Sequence, residues 1–275
     1  MNSLDRLYKK NTFKLIHGYL LYFILNTLFA SFYSKAANPK IRLVTEHLPP
    51  YQLISDKDYS ITGFAVDIVL ETLKRTPYQY ALEGYPWVRS YNLSLKTPNT
   101  CIFSIARIAS REDKFIWIGQ ITEQNNAVIW GLKNNVHSQH IKNIDDLKQY
   151  VTAVNKNDVT HLGMLEHGLV AGKHLYVLEH TKSLINLLVT RPEIDFIVAD
   201  DITINYRAKL AGVNINLLQR VFEVKTLPLN FYIACNKQSD PVMIRTLKNK
   251  LSEIHQDGTY QKILSRWKSK MPHLK

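Results

Sequence analysis

Ile41 to Glu46 alternates apolar and polar side chains as a half-covered strand does, and Leu48-Pro49-Pro50-Tyr51 ends it, because two prolines cannot continue a ladder. After Gly63, the positions Ala65, Ile68, Val69, Thr72 and Leu73 recur at the spacing of a helix that buries one face. Tyr78 to Glu83 alternates again, so the chain opens β-α-β, the start of a doubly wound parallel sheet. Tyr85-Pro86-Trp87-Val88-Arg89 begins the next helix with a proline near its first turn, where a missing amide costs nothing. Pro98-Asn99 then turns into Cys101, Ile102, Phe103 and Ile105. Only Ser104 interrupts that run, which predicts a strand covered on both faces.

Phe115 to Ile118 restores apolar character after a charged loop, and Ala127 to Gly131 is a further short strand. The polar stretch from Lys133 to Lys142 reads as a crossover into a second lobe. Within that lobe strands are expected at Val151 to Asn155, Leu175 to Leu178, Ile194 to Ala199 and Ile215 to Phe222. Helical segments alternate with them at Asp145 to Tyr150, Thr160 to His167, Ser183 to Thr190 and Ile202 to Leu210, and Gly168 and Gly212 stand where helix ends need a left-handed residue. Leu229 to Asn236 returns as a strand. Asp240-Pro241 supplies an N-cap with proline behind it, for a helix that runs through His255 and ends by Gly258, and Thr259 to Lys268 forms the last helix. The pattern divides the chain into a leader at 1–36, a first lobe at 37–130 and 225–275, and a second lobe at 131–224.

The leader reads as a secretory signal. Arg6, Lys9, Lys10 and Lys14 precede the mostly apolar run Leu15 to Phe32, and Ser34-Lys35-Ala36 offers small residues for cleavage before Ala37. An uncleaved anchor is the alternative, since the run reaches the lower length of a spanning helix, although His17, Gly18 and Asn26 interrupt it. No cysteine follows to carry a lipid. Cleavage removes five cations against Asp5 and lowers the formal charge from +12 to +8. The surplus is spread along the chain and forms no basic stripe, so nucleic acid is not an expected partner. The remainder is long enough for two lobes of ordinary size.

Candidate chemistry gathers after the central strand. Arg107, Arg111, Glu112, Asp113 and Lys114 follow it at once, and a loop just past a strand's carboxyl end is where open α/β sheets hold ligands. An arginine there presents a planar fork that fits a carboxylate, worth about 1.5–3 kcal/mol for a charged hydrogen bond. A solvated arginine in a polar turn is the plainer reading. Tyr51, after its stiff turn, is placed either to stack on a ligand or to pack on the surface.

ARIASREDKFIWIGQI resembles the strand, A-R-T-P-E-R-E loop and F-x-W-x-G-P segment of family 3 extracellular solute-binding proteins, the periplasmic receptors for polar amino acids and similar solutes. The helix after Gly63 is similar to that family's G-F-x-V-D-I, with Asp67 a structural acid, and DPVMIRTLKNKLSEIHQDGTYQKILSRW to its closing helix pair; P-W-x-R marks one branch. The resemblance implies an α/β fold of the type II periplasmic binding protein kind, two lobes joined by crossover strands with a ligand cleft between them. It implies that Arg111 grips a carboxylate, with Ser104 and Arg107 beside it, and that Tyr51 and Trp87 wall the site. In Ile194 to Asp201 the family's D-x-x-x-x-D spacing puts Asp200 against an ammonium group, leaving Asp201 to cap the following helix. The strands carrying Cys101 and Cys235 are neighbours in that fold, so a disulfide is implied; two buried free thiols are the alternative.

Two departures bear on the ligand. The usual Gly-Ser/Thr loop of the second lobe is replaced by Asn155-Lys156-Asn157-Asp158, and Ile108-Ala109-Ser110 replaces Thr-Pro-Glu. Asp158 brings an extra acid to the site, which suits a cationic side chain, an amine or a small peptide-like solute better than a plain α-amino acid. The implied function is a monomeric receptor that delivers a small polar solute to an inner-membrane ABC permease or a membrane sensor, without a cofactor. The competing class is an enzyme on the same scaffold, a dehydratase acting on prephenate or arogenate with Asp158, Asp200 or Glu46 as acid or base. A relative carrying a transglycosylase domain is not expected, because the sequence ends at Lys275. The ten histidines, among them His137, His140, His161 and His167, lack metal-ligand spacing and are read as surface residues.

Overall fold

Alternation at period two and stripes at period 3.6 become two layered α/β lobes in the computed structural model, which describes residues 40–179 and 184–270. The expected leader, 1–36, lies outside the described residues. In chain order the strands are β1 (Ile41–Thr45), β2 (Leu53–Ile54), β3 (Ile61–Thr62), β4 (Tyr80–Gly84), β5 (Thr100–Ala106), β6 (Phe115–Gln120), β7 (Asn126–Leu132), β8 (Thr152–Asn155), β9 (Leu175–Leu178), β10 (Phe196–Ala199), β11 (Leu218–Pro228) and β12 (Phe231–Asn236). The helices are α1 (Phe64–Lys74), α2 (Trp87–Lys96), α3 (Ala109–Glu112), α4 (Val159–Glu166), α5 (Leu184–Thr190), α6 (Asp201–Leu210), α7 (Pro241–Gln256) and α8 (Thr259–Lys270). Among the described residues no helix is long and apolar enough to cross a membrane.

The first sheet has the order β4-β1-β5-β12-β6, parallel among β4, β1 and β5 and antiparallel where β12 returns. Every residue of β5 is buried, as its apolar run requires. Cys101 and Cys235 are register partners on β5 and β12 and are joined as a disulfide, S–S 2.03 Å. The second sheet has the order β11-β7-β10-β8-β9. The strand expected to close the first lobe, β7, therefore lies in the second, between β10 and β11. Divisions at 130/131 and 224/225 would cut β7 and β11; the chain changes sheets just before β7 and just after β11. There the two crossings are tied together, with Leu229 N donating to Asn125 O at 2.8 Å and Asn125 N to Asn230 Oδ1 at 2.9 Å.

Two second-lobe elements differ from expectation for local reasons. The helix expected at Asp145 to Tyr150 is a 3₁₀ turn, Ile144–Gln149, held by a capping box between Asn143 and Asp146, with only Leu147 buried. One buried residue cannot sustain an α-helix. The strand expected from Ile215 opens with a 3₁₀ turn, Ile215–Leu217, because Asn214 accepts from Asn216 N and so ends the preceding loop as a turn.

The closing helices brace the first lobe. Asp240 caps α7 through Met243 N at 2.7 Å, and Asp67 on α1 accepts from Arg266 and from the Trp267 indole, at 2.8 and 2.7 Å. Gly63, just before α1, has φ 140°, and a Cβ there would stand 2.3 Å from the Tyr51 carbonyl. The loop after β1 can pack onto the helix only because that residue is glycine.

Candidate functional site

Strand ends and helix starts from both lobes converge on a cavity of about 50 Å³ whose walls include Glu46, Trp87, Ser104, Arg111, Asp158 and Asp200. That volume admits a few water-sized spheres, at about 10–15 Å³ each, so the lobes lie closed on one another.

From the first lobe, β5 contributes Ser104. It is the extra residue where β5 bulges against β12, since Phe103 and Ile105 pair with Ile233 and Tyr232 and Ser104 with neither. Its φ of 58° is unusual for a non-glycine residue, and a bulge of this kind re-aims a side chain. The hydroxyl donates to Gln52 Oε1 at 2.7 Å. Arg111 follows in the single turn α3 and is 2% exposed. Its Nη1 donates to Ala106 O and its Nη2 to Asn157 O, each at 3.2 Å, while Nε has no acceptor among the described residues. The guanidinium lies 4.9 Å from the ring centre of Trp87 and 5.5 Å from that of Tyr91. Burial pulls it down from the ordinary arginine value, and Tyr91, Asp158 and Glu46 oppose that. It remains a cation at any physiological pH.

The second lobe meets this side through Asn155-Lys156-Asn157-Asp158. Asn157 adopts φ 60°, the conformation a glycine would take there, and asparagine tolerates it. Its carbonyl accepts from Trp87 Nε1 at 2.7 Å as well as from Arg111. Asp158 caps α4, accepting from His161 N and Thr160 Oγ1, both at 2.7 Å, and also borders the cavity. Asp200 does the same for α6, accepting from Ile202 N, Thr203 N and Thr203 Oγ1 at 2.8, 2.7 and 2.9 Å. Burial raises both carboxyls despite these bonds. Arg207 of α6 also borders the cavity and pulls Asp200 back down.

Glu46 follows β1 directly and is the third acid of the cavity wall. It borders both the cavity and an outer groove, and its carboxyl is pushed up to about 8, by burial first and then by Asp158, against Arg207 and Arg111. At neutral pH it is mostly protonated. The backbone around it is fixed, because the Thr45 carbonyl accepts from Tyr85 N at 2.9 Å and from Ser90 Oγ at 2.8 Å.

The structure thus brings together Arg111, Ser104, Trp87, Asp158 and Asp200, and sets aside two expected residues. Arg107 points outward into an exposed ion pair with Glu112 and lies 5.3 Å from the Trp117 ring centre. Strand alternation turns it away from the side that carries the cavity. Tyr51 is 3% exposed and packs edge-on against Phe231, ring centres 5.1 Å apart; Phe231 is the aromatic that borders the cavity. The roles of the paired acids are also corrected: Asp200 is itself the helix cap, and Asp201, the first helical residue, pairs with Arg220 at 3.1 Å. His161, read as a surface residue, is 7% exposed. Asn157, Arg207 and Phe231 were not singled out; only the Asn157 loop carried a signal, as a departure from the glycine pattern. Among the described residues no group of three His, Cys, Asp or Glu side chains could hold a metal ion.

Comparison with solved structures finds the same architecture. An ancestral arginine-binding protein bound to arginine is 18% identical, with 83% of this chain and 97% of that one covered at a TM-score of 0.70. A histidine kinase sensor domain with similarity to periplasmic binding proteins is 15% identical over 84% and 96%, TM-score 0.72. The arginine-, lysine-, histidine-binding protein of Geobacillus stearothermophilus is 19% identical over 83% and 95%, TM-score 0.68. At these identities the likeness is one of fold. No curated protein sequence matches the chain. The family profile of bacterial extracellular solute-binding proteins, family 3, matches residues 41–270, and with the two-lobed fold and the cleft between its lobes, the chain belongs to that family.

Proposed function

We propose that this solute-binding protein takes an α-amino acid with a positively charged side chain, and L-arginine is the probe we would try first. The observation that carries the reading is the buried Arg111, with two donors anchored on carbonyls and Nε without an acceptor among the described residues, opposite the carboxylates of Asp158 and Asp200. A ligand carboxylate would complete the guanidinium's bonds, and its ammonium group would face the acids. Three acids, Glu46, Asp158 and Asp200, meet two arginines, Arg111 and Arg207, in the cavity wall. With Glu46 protonated in the empty cleft, Asp158 and Asp200 balance Arg111 and Arg207; ionised beside a bound cation, Glu46 adds the one negative charge that a cationic amino acid balances. Its side chain would pass Glu46 towards the outer groove of about 430 Å³, which Tyr85 and Glu179 also line.

Two of the similar structures are described as arginine-binding, which agrees with this class. The partner is an inner-membrane ABC permease, the receptor acting in the periplasm as a monomer and releasing its ligand unchanged. Calorimetric titration with L-arginine, L-lysine, L-glutamate and glycine tests the class. Binding of the first two alone agrees with it; binding of L-glutamate alone overturns it. The competing reading is an enzyme on the same scaffold, with Glu46 of the cavity wall as the candidate acid. Turnover of prephenate or arogenate would establish that enzyme.

A further inference from the structure

Asn157 is bonded on both of its backbone sides. Its carbonyl accepts from Trp87 and Arg111 of the opposite lobe, while its N–H donates to His161 Nδ1 at 3.0 Å on its own lobe. His161 is buried, and its Nε2 has no partner among the described residues. A ring that accepts at Nδ1 is neutral with its proton on Nε2. Protonation would put a second N–H at Nδ1, facing the Asn157 amide donor to donor, and the left-handed turn would have to open.

We propose that His161 is a positioning residue: its neutral ring holds the Asn157 turn that joins Trp87 and Arg111 across the cleft, and its protonation loosens that turn and favours ligand release. The proposal rests on the receptor reading above for its consequence, though not for its geometry. Burial lowers the ring below the ordinary histidine value, which keeps it neutral. Of the charged groups around it, Asp158 at the head of α4 favours the proton and Lys156, whose ammonium pairs with Glu179 at 2.6 Å, opposes it. From the other lobe Arg111 reaches the same turn through Asn157, and Glu46 faces Asp158. The folded chain therefore holds fewer protons than the unfolded chain at this site. The turn is fully held above the unfolded histidine value of about 6.5 and loses stability as pH falls through and below it.

The test compares wild type with His161→Gln, whose amide oxygen can accept from Asn157 and does not titrate, and with His161→Leu, which removes the acceptor. Hydrogen exchange of the Asn157 amide in the ligand-free full chain, normalised to β8 amides, should lose roughly tenfold protection between about pH 7.5 and about pH 5 in wild type. The glutamine variant should keep its protection across the range, and the leucine variant should lack it throughout. L-arginine affinity should fall more steeply with acid in wild type than in His161→Gln. Glu46 titrates in both proteins, so the difference between the two profiles belongs to His161. Constant Asn157 protection in wild type, or superimposable binding profiles, would overturn the proposal. Failure of L-arginine to bind at about pH 8 would instead refute the ligand class, leaving the amide measurement to decide the role of His161.

Discussion

The indole of Trp87 donates to the carbonyl of Asn157 at 2.7 Å, from the first turn of a helix on one lobe to a left-handed turn on the other. The same carbonyl takes one Nη of Arg111. Closure of the cleft is thus held partly by a main-chain oxygen, which varies little with side-chain chemistry. Trp87 serves as wall and as clasp.

Replacing Trp87 with phenylalanine keeps an aromatic wall and removes the donor. One neutral hydrogen bond is worth about 1 kcal/mol, so L-arginine affinity should fall about fivefold, with a wider average separation of the lobes by small-angle scattering. Unchanged affinity and dimensions would show that the bond has no part in closure.

Arg111→Lys retains the charge but loses the fork and the second anchored donor. Affinity should drop by about 2 kcal/mol, roughly thirtyfold. Arg107→Ala, which removes the exposed pair with Glu112 and the contacts over the Trp117 and Tyr232 rings, all away from the cavity, should leave affinity within a factor of about two. If the two substitutions were equally damaging, the assignment of Arg111 as the carboxylate anchor would be wrong.

Glu46 gives a pH signature of known sign. Its folded value of about 8 stands above that of an unfolded glutamate, so the folded chain holds more protons than the unfolded one between those limits. Stability from this site is fully present below the unfolded value and is lost as pH rises towards 8. Glu46→Gln should therefore melt higher than wild type at about pH 8 and show a smaller difference at about pH 5. A cation bound beside Glu46 should ionise it, so titration with L-arginine near neutral pH should release a proton. Heats that do not depend on the buffer's ionisation enthalpy would contradict this.

The cystine should matter for stability and not for recognition. Cys101 and Cys235 are 134 residues apart in sequence, and closing so long a loop stabilises by about 2–5 kcal/mol. Cys101→Ala with Cys235→Ala should lower the denaturation midpoint while leaving L-arginine affinity nearly unchanged. Both thiols alkylating freely in the native, unreduced protein would remove the bond altogether.

The strand before Arg111 was legible because its apolar run ends abruptly in charge, and that contrast is local; Arg111 itself was marked out only by the resemblance of its loop to that of the family. The helix pair that closes the first lobe was legible for the same reason, its N-cap and apolar stripe being adjacent in sequence. The fate of Tyr51 was not, because it depends on Phe231, 180 residues further along, which fills the cavity wall in its place. Asp200 and Asp201 differ by one residue, and which of them caps α6 depends on where the helix begins, the least legible feature of any helix. Arg207 is one of many basic residues on helical segments, and only the packing of α6 turns it to the cavity. His161 had no metal spacing to mark it; its role lies in the turn it faces.

A ligand carboxylate at Arg111 is the central contact of the proposed site, and agmatine, which is arginine without its carboxylate, isolates it. Calorimetry at about pH 8 should show L-arginine binding at least about thirtyfold tighter than agmatine in wild type, about 2 kcal/mol, and a much smaller gap in Arg111→Ala. Equal affinities for L-arginine and agmatine in wild type would contradict it.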